Sequence, residues 1–256
     1  MKLDHVTSRD NPALVRLRKL GADATAYRKT GSVWVEGDHL IRAALQRGWQ
    51  PALVVLTEDA LQTQALAGLA EAAPRALVVP VALFKGLSGL ESPAAIGAEF
   101  MLPASPAMDA GAASVVLDRL QDAGNVGAIL RSAAAFGVRQ VLAIKGTAAL
   151  WSPKVLRAGQ GAHFGLRLIE GVAVADLAHL AVPLVATSSH TAQALNQVTL
   201  PSPCAWVMGH EGQGVAAELM ARCALTVGIP QPGGEESLNV AAAAAICLYE
   251  SERQRH

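Results

Sequence analysis

Aromatic side chains make up only 4% of this 256-residue chain and charged ones only 16%. Alanine, leucine and valine must therefore fill the core, which favours closely packed helices and strands over a large aromatic cavity. With 52% hydrophobic residues the chain is no disordered protein. No apolar run approaches the ~20 residues that cross a bilayer, and the opening MKLDH has no apolar signal core. The three cysteines, Cys204, Cys223 and Cys247, are odd in number, widely spaced and form no C-x-x-C pair. They suggest neither a disulfide framework nor a zinc site, so no metal is expected, and a reducing cytoplasm fits them best. No 20–50-residue repeat is present. The length exceeds one typical domain and falls short of three.

A formal net charge of zero argues against an obvious nucleic-acid binder, but the distribution is uneven. Residues 1–50 carry nine Lys/Arg against five Asp/Glu, whereas residues 51–100 carry two against five. The basic side chains gather at Arg9, Arg16, Arg18, Lys19, Arg28 and Lys29. Such a cluster is a candidate phosphate footprint or a solvated helix face.

The chain reads as alternating strands and helices. Asn11-Pro12 looks like an N-cap with proline at the first helical position, predicting a helix to residue 20. Strands are predicted at 33–36, 52–56, 76–80 and 95–101, with helices at 38–46 and 59–72. Proline, glycine and small residues then mark a linker. A second alternating series has strands at 114–117, 140–144, 184–186, 204–208 and 224–227 and a closing helix from about residue 238. The expected architecture is α/β throughout: a small α/β domain at 1–102, a linker at 103–112 and a second α/β domain at 113–256.

Three segments of the second domain could carry chemistry. In the first, a strand ends at Leu117, a glycine-bearing turn follows, and a helix starts near Asn125, itself a good N-cap candidate. Arg131 is the only charge between Ala123 and Val138. A helix apolar on every side is normally buried, and arginine is rarely buried unpaired. Arg131 is therefore expected to meet a carboxylate or a phosphate. The second segment, GHEGQG at 209–214, is a glycine-rich turn holding Glu211, which is either a solvated acid or the partner of Arg131. In the third, residues 229–240, Ser237 is the expected N-cap of the last helix, with Glu235 and Glu236 beside its positive end. Asn239 stands alone among apolar residues and needs a hydrogen-bond partner.

In order, these segments resemble the three signature motifs of the SpoU-type (TrmH-like) ribose 2′-O-methyltransferases of the SPOUT superfamily. N-x-G-x-x-x-R falls on Asn125, Gly127 and Arg131, G-x-E-G-x-G on Gly209 to Gly214, and I-P with S-L-N-V on Ile229-Pro230 and Ser237 to Val240. Ser8 to Pro12, Val35-Glu36-Gly37 and Ser92-Pro93 resemble the family's accessory RNA-binding domain. Residues 152–162 also match, with Gly159 where many relatives have serine.

The resemblance implies a C-terminal α/β trefoil-knot domain that binds S-adenosyl-L-methionine through backbone groups at Gly209, Ile229 and Leu238, with Thr187 bordering the pocket. It assigns Arg131 to the ribose hydroxyl and gives orienting roles to Asn125, Glu211, Ser237 and Asn239. Arg9, Arg16, Arg18 and Lys19 are the expected RNA contacts. A homodimer is implied, with large-subunit (23S) ribosomal RNA as the expected substrate and tRNA as the alternative. Antibiotic-resistance methyltransferases share the same motifs. A non-catalytic RNA-binding relative would carry a damaged motif, and all three are intact. A dinucleotide-dependent oxidoreductase would need its glycine fingerprint after the first strand, where Asp122-Ala123-Gly124-Asn125 stands instead. A hydrolase would need a G-x-S-x-G elbow.

Overall fold

The structure, a computed structural model, describes residues 1–233 and 237–255. It divides into two compact units. The first comprises Met1–Ala104 together with Trp151–Phe164, and the second comprises Ser105–Leu150 with Gly165–His256.

In the first unit a five-stranded sheet has the order β1-β4-β3-β5-β2. Its strands are β1 (Lys2–His5), β2 (Ser32–Glu36), β3 (Pro51–Thr57), β4 (Arg75–Val79) and β5 (Ile96–Met101). The helices are α1 (Pro12–Ala22), α2 (Tyr27–Thr30), α3 (Asp38–Leu45), α4 (Glu58–Leu61), α5 (Gln64–Ala70) and α6 (Val81–Lys85). Asn11 caps α1 as expected, its side chain accepting from Ala13 N at 3.0 Å. Gly97 on β5 has a steric reason. A Cβ there would stand 2.2 Å from the Trp34 ring, so only glycine lets this indole lie across the sheet.

The helix expected at 59–72 is two helices, because Thr63 is extended and interrupts the run. A strand at residues 2–5 escaped the sequence reading. It is a sheet edge, mostly exposed, with no apolar run to announce it.

The main departure concerns residues 151–164, expected within the second domain. Helix α8 (Pro153–Gly159) and the turn after it pack into the first unit. Val155, Leu156, Ala162 and Phe164 are buried there. Trp49 meets Trp151 and Phe164 with ring centroids 5.8 and 5.2 Å apart, and its Nε1 donates to Phe164 O at 3.0 Å.

The second unit holds a six-stranded sheet of order β11-β9-β10-β6-β7-β8. The strands are β6 (Ser114–Leu117), β7 (Gln140–Ile144), β8 (Arg167–Val172), β9 (Leu184–Thr187), β10 (Ala205–Met208) and β11 (Leu225–Val227). Every pairing is parallel. β6, β7 and β10 are buried along their whole length, as strands covered on both faces must be. β8 was not expected. It is an edge strand with charged Arg167 and Glu170 among its apolar residues. The helices are α7 (Ala123–Ala135), α9 (Ala217–Met220) and α10 (Val240–Arg253), and α10 packs on α7.

Two helix starts are corrected. α7 begins two residues before Asn125, because Asp122 is extended and accepts from Asn125 N at 2.7 Å. α10 begins at Val240, with Asn239 rather than Ser237 as its cap. The first correction frees the Asn125 side chain from capping and the second commits Asn239 to it, as described next.

Candidate active site

β6 and β10 are neighbours, and successive strands run from β6 in one direction and from β10 in the other. The crevice outside their carboxyl ends is where open parallel sheets bind ligands. Two loops leave there, at residues 118–122 and 209–216.

The second loop is a tight reversal. A Cβ on Gly209 would lie 2.3 Å from Val215 N and 2.4 Å from Gly214 C, so any side chain would block the fold-back. His210 and Gly214 exchange backbone hydrogen bonds of 3.0 and 2.8 Å. The His210 Nδ1 accepts from Gly212 N at 3.0 Å and from Gln213 N at 3.3 Å. This turn presents Glu211 to the first loop, where its carboxylate accepts from Gln121 N (3.2 Å), Asp122 N (3.0 Å) and Asn125 Nδ2 (3.3 Å). Partial burial pushes the Glu211 carboxyl up. The N–H groups of Glu211 itself, Asp122, Gln121 and Asn125 outweigh that and hold it below the ordinary carboxylate range.

The remaining face of Asn125 meets Asn239, whose Nδ2 donates to Asn125 Oδ1 at 2.9 Å. The Asn239 Oδ1 is committed to Ala241 N (2.9 Å) and Ala242 N (3.3 Å), the free donors at the start of α10. These constraints fix the direction of every hydrogen bond in the series. Helix N–H groups take the oxygen of Asn239, so its amide NH2 must face Asn125. Asn125 in turn must offer its own NH2 to Glu211. One residue from each of the three sequence segments thus joins a single directed relay.

Arg131 lies outside this relay. It is exposed on α7 and makes no ion pair among the described residues. Of the two alternatives for Glu211, pairing with Arg131 is not made, since that carboxylate faces the loop N–H groups and Asn125. Nor is α7 buried all round. Gly124, Arg131 and Ala135 are exposed and Ala128 half-buried, forming one open stripe.

Ser237 is exposed and does not cap α10, while Glu235 and Glu236 lie outside the described residues. Leu238 is exposed, Ile229 half-buried, and Thr187 half-buried at the end of β9. The Gln231 Oε1 is buried and has no hydrogen-bond partner among the described residues. Together with the cradle at Gly209, this unsatisfied acceptor fits a bound group that carries N–H donors.

The sequence reading missed Asp118 and Arg119. Asp118, 1% exposed, closes β6 and accepts from Ala216 N at 2.7 Å. Arg119 forks onto the same carboxylate at 2.7 and 3.2 Å, and that hydrogen bonding raises its pKa. An acid ending a wholly apolar strand was the available signal.

In the first unit the basic residues divide. Arg16 donates to Glu99 through Nε (3.0 Å) and Nη2 (2.7 Å). The Glu99 side chain is only 4% exposed and also accepts from Ser32 Oγ at 2.7 Å. Arg16 is therefore tied to the buried Glu99 while part of its guanidinium stays exposed. The Arg18 Nη2 donates to Arg9 O at 3.3 Å, which brings these two residues together. Lys19 is exposed in the last turn of α1 and makes no ion pair among the described residues. Among the described residues no group of three His, Cys, Asp or Glu could hold a metal ion, and no helix is long and apolar enough to cross a membrane.

Known proteins match both units. Residues 112–249 match the SpoU rRNA methylase family and residues 11–98 the MRM3-like substrate binding domain. An uncharacterized tRNA/rRNA methyltransferase of Synechocystis is 31% identical, with 98% of this chain and 94% of that protein covered. The Bacillus subtilis 23S rRNA (guanosine(2553)-2′-O)-methyltransferase RlmP is 30% identical, with coverages of 86% and 88%. The AdoMet-bound rRNA methyltransferase from Sinorhizobium meliloti superposes with a TM-score of 0.84 at 27% identity, covering 98% of each chain. With intact motifs, a matching family region over more than half its length and relatives alike nearly end to end, this chain belongs to the SpoU rRNA methylase family.

Proposed function

We propose that this RNA methyltransferase transfers a methyl group from S-adenosyl-L-methionine to a ribose 2′-hydroxyl of 23S ribosomal RNA. The observation that carries the reading is the Glu211–Asn125–Asn239 relay, which ties the three motif segments together at the carboxyl ends of β6 and β10. The ribosomal substrate is supported by the likeness to RlmP over 86% of this chain, a protein named as acting on 23S rRNA.

S-adenosyl-L-methionine, when bound, supplies an electrophilic methyl group. The backbone at Gly209, Ile229 and Leu238 would hold it, with Thr187 at the border and the Gln231 Oε1 as a further acceptor. The chain's own residues have two tasks: to fix the hydroxyl and to manage its proton. Glu211, ionised at neutral pH, locks the first loop to the glycine turn and aims the Asn125 amide. A guanidinium is a poor base, so Arg131 is not the proton acceptor. Its exposed guanidinium, without an ion pair among the described residues, is suited to orienting the hydroxyl beside an RNA phosphate and to stabilising charge as the proton leaves. Ser237, exposed just before the α10 cap, borders the same site.

A homodimer completes the reading. Leu238, Ile246 and Tyr249 are 38–56% exposed in and before α10, an apolar surface that a second copy would cover. A trefoil knot in the second unit and a cytoplasmic location accord with the family motifs and the unpaired thiols. Burial pushes Cys204 up to about 11 and Cys247 up to about 12, leaving both as inert thiols.

The test is methyl transfer from labelled S-adenosyl-L-methionine to 23S rRNA and to tRNA, followed by mapping of ribose methylation. One new 2′-O-methyl nucleotide in 23S rRNA is expected. Methylation confined to tRNA would replace the substrate, and a base-methylated product would overturn the reaction.

A further inference from the structure

Arg119 is an unusual residue for its backbone. Its φ is +58°, a left-handed conformation that glycine adopts freely and arginine does not. Backbone held this way persists only where the surroundings over-determine it, and such residues cluster at functional sites. Here the surroundings are explicit. Asp118, 1% exposed, grips the guanidinium through Nε and Nη2, leaving Nη1 to reach the Gln213 Oε1 at 3.2 Å. The other Asp118 contact is with Ala216 N, at the far end of the same glycine turn. The Arg119 carbonyl accepts from Gln121 Nε2 at 3.1 Å, just before the backbone that binds Glu211.

The consequence is a brace. The first loop holds the glycine turn at two places: Asp118 holds Ala216, and Arg119 holds Gln213. Glu211 lies between His210 and Gly212 on the same turn, and its carboxylate must meet Asn125 at the correct angle. We propose that Arg119 is a positioning residue for methyl transfer, bracing the glycine-rich turn through Gln213 and so setting how Glu211 meets Asn125. The inference rests on the methyltransferase reading, and its first test does not need activity.

Arg119→Gly and Gln213→Ala each remove the Arg119–Gln213 arm of the brace, and Gln213→Ala does so without leaving a buried charge unpaired. Hydrogen exchange of the full-length protein is the direct readout. The amides at 212–214 exchange about tenfold faster in both variants, with β6 and β10 unchanged. Glycine also suits the left-handed backbone, but it leaves Asp118 without its fork, so thermal unfolding is read in both variants and Gln213→Ala is expected to match the parent. In single-turnover methylation each variant slows transfer about tenfold to hundredfold, the scale of a small misplacement at a reacting centre. The Km for RNA stays unchanged. The double variant is no slower than the slower single one, and Gln213→Glu, which offers Arg119 a charged acceptor, retains the parent rate. Unchanged exchange at 212–214 in Gln213→Ala overturns the proposal even if no RNA substrate is found. Additive losses in the double variant, or a raised Km for RNA in Arg119→Gly alone, also overturn it, the latter by making Arg119 an RNA contact. A parent enzyme without methyl transfer would refute the function while leaving the exchange test of the brace intact.

Discussion

Arg16 of the first unit stands in a basic helix and Arg131 of the second in a largely apolar one, and their surroundings treat them in opposite ways. Arg16 is bound by two hydrogen bonds to a carboxylate buried in the sheet. Arg131 stands exposed on α7 with no ion pair among the described residues. From sequence, Arg16 belongs to a basic cluster that is a phosphate footprint or a solvated face, and Arg131 is expected to meet a carboxylate or a phosphate. The difference teaches that a cation in a helix marks a commitment without saying to what. A carboxylate on a neighbouring strand commits the side chain to the fold, and the absence of one leaves it for a ligand.

The largest effect that would sharpen this contrast is on rate. Arg131→Ala is expected to slow single-turnover methylation by roughly 10²–10⁴, the range for a positioned acid–base group. Its thermal midpoint should stay within a few degrees of the parent, since no ion pair is lost. Arg131→Lys should not restore the rate, because a point charge cannot reproduce the planar fork. A near-normal rate in either variant would make Arg131 a surface residue.

The mirror experiment is Arg16→Ala. It leaves the buried Glu99 carboxylate with Ser32 as its remaining side-chain partner, and because Arg16 is exposed the cost falls below the ~3–5 kcal/mol of breaking a fully buried pair. Urea unfolding reads the loss. The double variant Arg16→Met with Glu99→Gln should recover most of it. If instead stability holds and the salt dependence of RNA binding flattens, Arg16 is a phosphate contact and the contrast fails.

Asn239 stands between the two cases and carries a smaller expected change in stability than Arg16. Asn239→Ala removes the α10 cap at a cost of about 1 kcal/mol. Asn239→Asp keeps an oxygen for Ala241 N and Ala242 N but offers no donor to Asn125. Parent-like stability with a transfer rate as low as that of the alanine variant would separate cap from relay. Equal rates for the aspartate variant and the parent would confine Asn239 to capping.

Much of the fold and of the site is legible in the amino-acid sequence. The buried parallel strands β6, β7 and β10 announce themselves as apolar runs, and Asn11-Pro12 announces α1. Asn125, Glu211 and Asn239 stand out as polar residues in apolar or glycine-rich surroundings, and they do meet. Their mutual directions are hidden, because those depend on which helix donors Asn239 satisfies. Edge strands β1 and β8 escape notice because half-exposed strands with charges lack the apolar run. The Ser237 cap is misplaced because two eligible capping residues stand two apart, and only the backbone decides between them. Asp118 and Arg119 are passed over because nothing local reveals a partner 94–98 residues away.

Residues 151–164 carry a consequence for the order of events during synthesis. Domains ordinarily fold as units, the N-terminal one first as the chain emerges. Here Trp49 and Phe100 wait for Trp151 and Phe164 to complete their aromatic cluster. The ribosome must deliver β6, α7 and β7 before those rings arrive. The first unit therefore cannot finish before the second has begun, and a ribosome stalled near residue 110 would hold a nascent sheet with its aromatic edge still open.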